Sequence, residues 1–139
     1  MWNPAQGTAA ACLLIFVVWL SAGSTVAGEP PVPDKNDVRV LIDISGSMRQ
    51  NDPENLRRPA LRMLAGLLQP GTRAGVWTFA RWSNNLVPVA EVDPAWKERV
   101  LGLSKKISSP GQFTNIEGVL DKASADWGGD PASYARHLI

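Results

Sequence analysis

Thiol and imidazole chemistry is nearly missing from this chain, which holds a single cysteine, Cys12, and a single histidine, His137, in 139 residues. No disulfide closes within it, and a zinc site of Cys and His ligands is excluded. Charge of one sign is also scarce: 14 Lys and Arg stand against 13 Asp and Glu, for a net charge of +1. A nucleic-acid reader carries a basic stripe, whereas the pairs Arg57-Arg58 and Lys105-Lys106 are short enough to be solvated helix faces. Glycine-rich phosphate loops of the Walker or dinucleotide type do not occur, and no Gly-x-Ser-x-Gly elbow with an Asp–His pair serves a serine nucleophile. What remains is an ordinary globular balance, 45% hydrophobic and 19% charged residues, enough to bury one core.

One stretch is free of charge altogether. Thr8 to Ala22 reads TAAACLLIFVVWLSA and is followed by Thr25-Val26-Ala27, a small-x-small pattern ahead of Gly28. This is the pattern of an export signal, although no Lys or Arg precedes it. Residues 1–27 are therefore expected to be a signal peptide or an N-terminal anchor. Cys12 does not suit a lipoprotein site, because the apolar run follows it. Residues 28–37 form a proline-rich linker with extended backbone, so folded structure is expected from Asp37 or Val38 onward.

Val38-Arg39-Val40-Leu41-Ile42-Asp43 is apolar at nearly every position, as in a strand buried on both faces of a parallel sheet. A loop is expected from Ile44 to Asn51. Asp52-Pro53 reads as the start of a helix whose inner face is Leu56, Ala60, Met63, Leu64 and Leu67, with Pro59 kinking or starting it and Pro70-Gly71 ending it. Arg73 to Ala80 reads as a second strand, Asn84-Asn85 as a turn, and Leu86 to Val89 as a short edge strand because of Pro88. Asp93-Pro94 opens a helix to about Lys106 with Trp96, Val100 and Leu103 inward. Ser108 to Phe113 is loop, Thr114 or Asn115 caps a helix with Ile116, Val119, Leu120 and Ala123 apolar, and Arg136 to Ile139 begins a further strand. This order specifies an α/β fold, an open and mostly parallel sheet flanked by helices with an antiparallel edge strand. Ligands on such sheets bind beyond the carboxyl ends of the strands, where the loop after Asp43 lies.

Asp43-Ile44-Ser45-Gly46-Ser47-Met48 is the most informative segment. Asp43, Ser45 and Ser47 alternate, so an extended segment turns all three to one side, and Gly46 allows the backbone to bend. One carboxylate and two hydroxyls at a strand end are hard oxygen donors of the kind magnesium takes, and they leave the ion under-neutralised. An ion so held gains from an incoming carboxylate.

VLIDISGSM resembles the first segment, Asp-x-Ser-x-Ser after the first strand, of the metal-ion-dependent adhesion site of von Willebrand factor type A domains. The family's second segment, a threonine just before a helix, is matched by Gln112-Phe113-Thr114-Asn115-Ile116. The resemblance covers Val38 to Ile139 and implies a Rossmann-like α/β fold. It implies direct ligation by Ser45 and Ser47, a third hydroxyl from Thr114, and Asp43 acting through water. The family's third segment is an aspartate in a Thr-Asp-Gly-like sequence at the end of the fourth strand. The chain stops inside that strand, so residues 38–139 are expected to be a partial domain whose C-terminal half is missing.

The resemblance further implies a cation-dependent protein-binding or adhesion module, with Mg2+ (or Mn2+ or Ca2+) as cofactor and a protein partner supplying an Asp or Glu to the metal. Export places it in the periplasm or at the outer face of the inner membrane, with contact to the membrane only through an N-terminal or missing C-terminal anchor. The alternative is a structural component of an envelope complex with a purely structural metal. A hydrolase is disfavoured, since Ser45 stands where a haloacid-dehalogenase-type phosphatase needs its second aspartate, and no enzyme activity is expected. Trp77 and Trp96 suit core positions, and Trp82, beside Arg81 and Asn84, a place at an exposed rim.

Overall fold

A computed structural model describes residues 35–127 and 133–139 of the chain; the expected signal or anchor and residues 28–34 of the expected linker lie outside the described residues. The elements in chain order are β1 (Asn36–Asp43), α1 (Met48–Asn51), α2 (Arg57–Leu67), β2 (Arg73–Phe79), β3 (Ser83–Glu91), α3 (Pro94–Ser104), α4 (Ile116–Ser124) and β4 (Ala135–Leu138). The four strands form one sheet in the order β3-β2-β1-β4. β1 pairs in parallel with β2, Val40 opposite Val76 and Asp43 opposite Phe79, and in parallel with β4. β3 is antiparallel to β2 and closes one edge. The α/β fold with an antiparallel edge strand stands as expected. β1 begins at Asn36, slightly ahead of the expected start, because Asn36 and Asp37 pair with Ala135 and Arg136.

The pleat divides the strands between two cores. Val38, Val40 and Ile42 of β1 and Ala74 and Val76 of β2 pack with Leu61, Ala65, Trp96 and Val100 of α2 and α3. On the other face Trp77 and Phe79 of β2 pack with Val119 and Ala123 of α4. This is why both strands are apolar almost throughout.

Three local expectations are corrected. The buried side of α2 is Leu61 and Ala65, with Leu64 and Leu68 packed beside them, while Leu56, Met63 and Leu67 are exposed. Asn84 and Asn85 are not a turn: they lie in β3 opposite Thr78 and Trp77, on an edge strand that runs from Ser83 to Glu91 and tolerates polar side chains and Pro88. Asp52 does not cap a helix at Pro53; it ends α1, and its carboxylate accepts from the Leu56 and Arg57 backbone N–H groups where α2 begins. Pro59 falls in the first turn of α2, where its missing N–H costs no hydrogen bond. By contrast α3 is capped as expected, with Asp93 accepting from the Trp96 N–H at 2.6 Å and Pro94 at the first position.

α4 is fixed to the sheet by a buried ion cluster. Arg39, with 0% exposure, donates from Nε and Nη2 to both oxygens of Asp37, from Nη1 to the Ala123 carbonyl at 3.1 Å and to Asp126 at 2.9 Å. Its guanidinium carbon lies 5.5 Å from the Trp77 ring centre and 5.4 Å from that of Trp127. Burial works against the charge of Asp126, but hydrogen bonds and charge from Arg39 and charge from Arg73 outweigh it and hold the carboxyl below its ordinary value of 3.8. A carboxyl with a depressed folded-state pKa contributes stability that is complete above its unfolded pKa and is lost as pH falls through the folded one. Stability is therefore expected to fall below about pH 4, and Asp126→Asn to flatten that fall; unfolding midpoints measured across an acid series check it.

Candidate functional site

β1 delivers Asp43 to the carboxyl end of the sheet, and the chain then turns sharply. Ile44 donates to the Phe79 carbonyl, Ser45 makes a lone parallel bridge with Gly111, and α1 starts at Met48. The expected loop thus contains a single helical turn. Ser45 Oγ and Ser47 Oγ share a hydrogen bond at 3.0 Å, brought together by this turn rather than by extended alternation. Asp43 stands behind them, its Oδ1 accepting from the Ser45 N–H at 2.7 Å. Ser47 sits at the N-cap of α1 without using its side chain as a cap.

Thr114 arrives from the opposite side. Asn115, not Thr114, caps α4, its Oδ1 accepting from the Gly118 N–H at 2.9 Å. The Thr114 hydroxyl, free of that task, makes no hydrogen bond among the described residues. Ser45, Ser47 and Thr114 line one open cleft of about 490 Å³ together with Gly46, Arg49, Gly111, Gln112 and Phe113. Asp43 is not among the cleft-lining residues; it reaches the cleft through Ser45.

Two kinds of site residue escaped the sequence reading. Gly111 holds the Thr114 loop against the Ser45 loop: its N–H donates to the Ile44 carbonyl at 3.1 Å, and a Cβ there would stand 2.3 Å from Ala80 Cβ and 2.9 Å from the Ile44 oxygen. Gly46, expected there for its backbone freedom, also matters for closeness, with the Gly111 oxygen 3.1 Å from where its Cβ would be. Pro110-Gly111 was the available signal, a dipeptide that marks a turn but not what it abuts. Arg57 is the second: it donates to the Asp43 carbonyl, to Asp52 at 2.7 Å and to Ser109 Oγ at 2.8 Å, tying together the segments that border the cleft. Nothing in its spacing signals that role.

The donor set fits a hard divalent ion. Two adjacent ligands of an octahedral ion with bonds of about 2.0–2.1 Å stand about 2.9 Å apart, and Ser45 Oγ and Ser47 Oγ are 3.0 Å apart. Among the described residues no three His, Cys, Asp or Glu side chains gather to hold a metal, so the donors in this cleft are hydroxyls backed by one carboxylate. Ser45, Ser47 and Thr114 would hold the ion directly, with Asp43 behind them. A cation held there would supply a positive centre at the end of the sheet.

In open α/β sheets the crevice outside the carboxyl ends of the strands is where ligands bind, and this hydroxyl-lined cleft lies there. No family model matches the chain, and no curated protein does. Solved structures do. A von Willebrand factor type A protein from Catenulispora acidiphila superposes with a TM-score of 0.67 at 17% identity, over 75% of this chain and 25% of that one. The vWF domain of the type V pili tip protein Mfa5 from Porphyromonas gingivalis gives 0.59 at 19% identity, over 78% of this chain and 36% of that one. Proximal thread matrix protein 1 from the mussel byssus, in a structure with a zinc-occupied MIDAS motif, gives 0.54 at 20% identity, over 78% and 31%. The fold of this chain is therefore that of a von Willebrand factor type A domain. The chain spans about a quarter to a third of the length of these structures.

Proposed function

We propose that this chain is a divalent-cation-dependent protein-recognition module of the cell envelope, holding Mg2+, or Mn2+ or Ca2+ in its place, through Ser45, Ser47 and Thr114 with Asp43 behind them. The observation that carries the reading is the pair of hydroxyls 3.0 Å apart in a cleft that also presents the uncommitted Thr114. The partner supplies an Asp or Glu side chain. Arg49 in the cleft wall adds positive charge, and among the described residues no acidic side chain lines the cleft. We assign binding rather than catalysis to the cleft, since the carboxylate behind its hydroxyls, Asp43, is engaged by the Ser45 N–H.

Export through residues 1–27, as a cleaved signal or a retained anchor, brings the module to the periplasm or the outer face of the inner membrane. The likeness to a pilus tip protein and to a zinc-occupied metal-ion site supports the location and the metal. Magnesium is expected to raise the unfolding temperature in proportion to the logarithm of its concentration above Kd. Ser47→Ala, which removes one ligand from an exposed position, is expected to weaken that response about tenfold or more in metal affinity while leaving the metal-free unfolding temperature unchanged. An unchanged magnesium response in the variant refutes the site. A metal that stabilises the fold but leaves partner binding untouched by chelation assigns it a purely structural role.

A further inference from the structure

Beside the cleft lies an aromatic and cationic rim that neither the fold nor the hydroxyl cluster requires. Phe113 lines the cleft and is 71% exposed, and Trp82, in the turn between β2 and β3, is also 71% exposed. Arg81 lies between them, its guanidinium carbon 5.5 Å from the Trp82 ring centre and 5.8 Å from that of Phe113. Phe113 adopts φ +62, a left-handed backbone that a bulky side chain rarely takes and that glycine takes freely. A strained, outward-facing aromatic next to an oxygen-lined cleft is poorly explained by packing, because the ring buries little against the described residues. It is well explained as a contact surface, where exposed aromatic and arginine side chains concentrate binding energy.

We infer that the Phe113–Arg81–Trp82 rim reads the residue next to the carboxylate on the partner, and that the partner is a protein loop bearing an Asp or Glu beside an aromatic or large aliphatic side chain. Among the described residues the cleft wall contributes Arg49 and no acid, so an anionic group is drawn to it. A flat apolar side chain beside that group falls on two exposed rings bridged by a cation. The inference rests on the proposed role of the cleft and adds the chemistry of what it recognises.

The test uses the full chain, isotopically labelled, with synthetic peptides carrying one Asp followed by Phe, Leu or Ala, each titrated with magnesium and with chelator. The Trp82 indole signal, assigned by its loss in Trp82→Ala, reports contact at the rim. The Phe and Leu peptides are expected to bind about three- to tenfold more tightly than the Ala peptide and to move the Trp82 signal. Phe113→Gly is expected to abolish that preference without lowering the unfolding temperature, since glycine relieves the strained φ. Equal binding of all three peptides in magnesium, released by chelator, overturns the rim and leaves the cleft's role standing. Tighter Phe and Leu binding that persists in chelator keeps the rim but removes the metal reading. No binding under any condition overturns both.

Discussion

Arg39→Ala is expected to lower the unfolding free energy by about 3–5 kcal/mol, the loss usual when one partner of a buried ion pair is removed. The reason is what stays behind. Asp37 is 1% exposed and would keep, among the described residues, only Arg73, whose nearest contact is 3.5 Å away. The Ala123 carbonyl and Asp126 would each lose a donor, and the Trp77 and Trp127 rings the cation between them. Folding of a domain this size is typically favoured by about 5–15 kcal/mol, so the variant should approach half unfolding well below the wild-type midpoint in urea. The effect ought to reach the site as well. α4 carries Thr114 and Asn115 at its start and is held to β1 at its other end by Arg39, so loosening that end frees the Thr114 side of the cleft. Replacing Asp37 by Leu together with Arg39 by Met is expected to recover much of the stability, because no charge is then left buried without a partner. If Arg39→Ala alone unfolds at the wild-type urea concentration, the cluster is not what fixes α4.

The legibility of the fold and site varied with how far each feature depends on neighbours distant in sequence. β1 and β2 were readable because a strand covered on both faces is apolar at most positions, as Val38 to Ile42 and Ala74 to Phe79 are apart from the buried Arg39 and Thr78. Asp93 and Pro94 were readable because capping is settled within one turn. α2 was misread in part because apolar residues cover two stripes of it. Of the expected face Leu56, Ala60, Met63, Leu64 and Leu67, only Leu64 packs on the core, beside Leu61, Ala65 and Leu68, and periodicity does not rank the two sets. The choice is made by distant bonds: Arg57 to the Asp43 carbonyl and Arg58 to the Ile107 carbonyl at 2.7 Å turn the second stripe inward. Asn84 and Asn85 misled for a related reason, since an edge strand admits the same polar residues as a turn. At the site, the residue types were visible and their geometry was not. Ser45, Ser47 and Thr114 do line one cleft, but the turn that joins the serines, and the capping of α4 by Asn115 that leaves Thr114 uncommitted, exist only once the two loops meet.

That meeting depends on Gly111, and Gly111→Ala is expected to separate the loops. A Cβ at this position would fall 2.3 Å from Ala80 Cβ and 2.9 Å from the Ile44 carbonyl oxygen, the acceptor of the Gly111 N–H. Neither neighbour gives way easily: Ala80 is buried at the end of β2, and Ile44 follows directly on β1. Overpacking of this kind costs about 1–3 kcal/mol, and the bridge between Ser45 and Gly111 is the contact most directly strained. Two losses should therefore appear together. The unfolding midpoint falls, and magnesium affinity falls by more than Ser47→Ala alone produces, because Thr114 is carried away from the serines with its loop. Gly46→Ala serves as the graded comparison, as its Cβ would meet the Gly111 oxygen at 3.1 Å and Arg49 Nη2 at 3.4 Å, the latter the end of a flexible side chain. It should cost less stability and less affinity than the change at Gly111. If the order is reversed, or if Gly111→Ala loses stability while its magnesium response stays at the wild-type level, the cleft is not assembled by the closeness of these two loops.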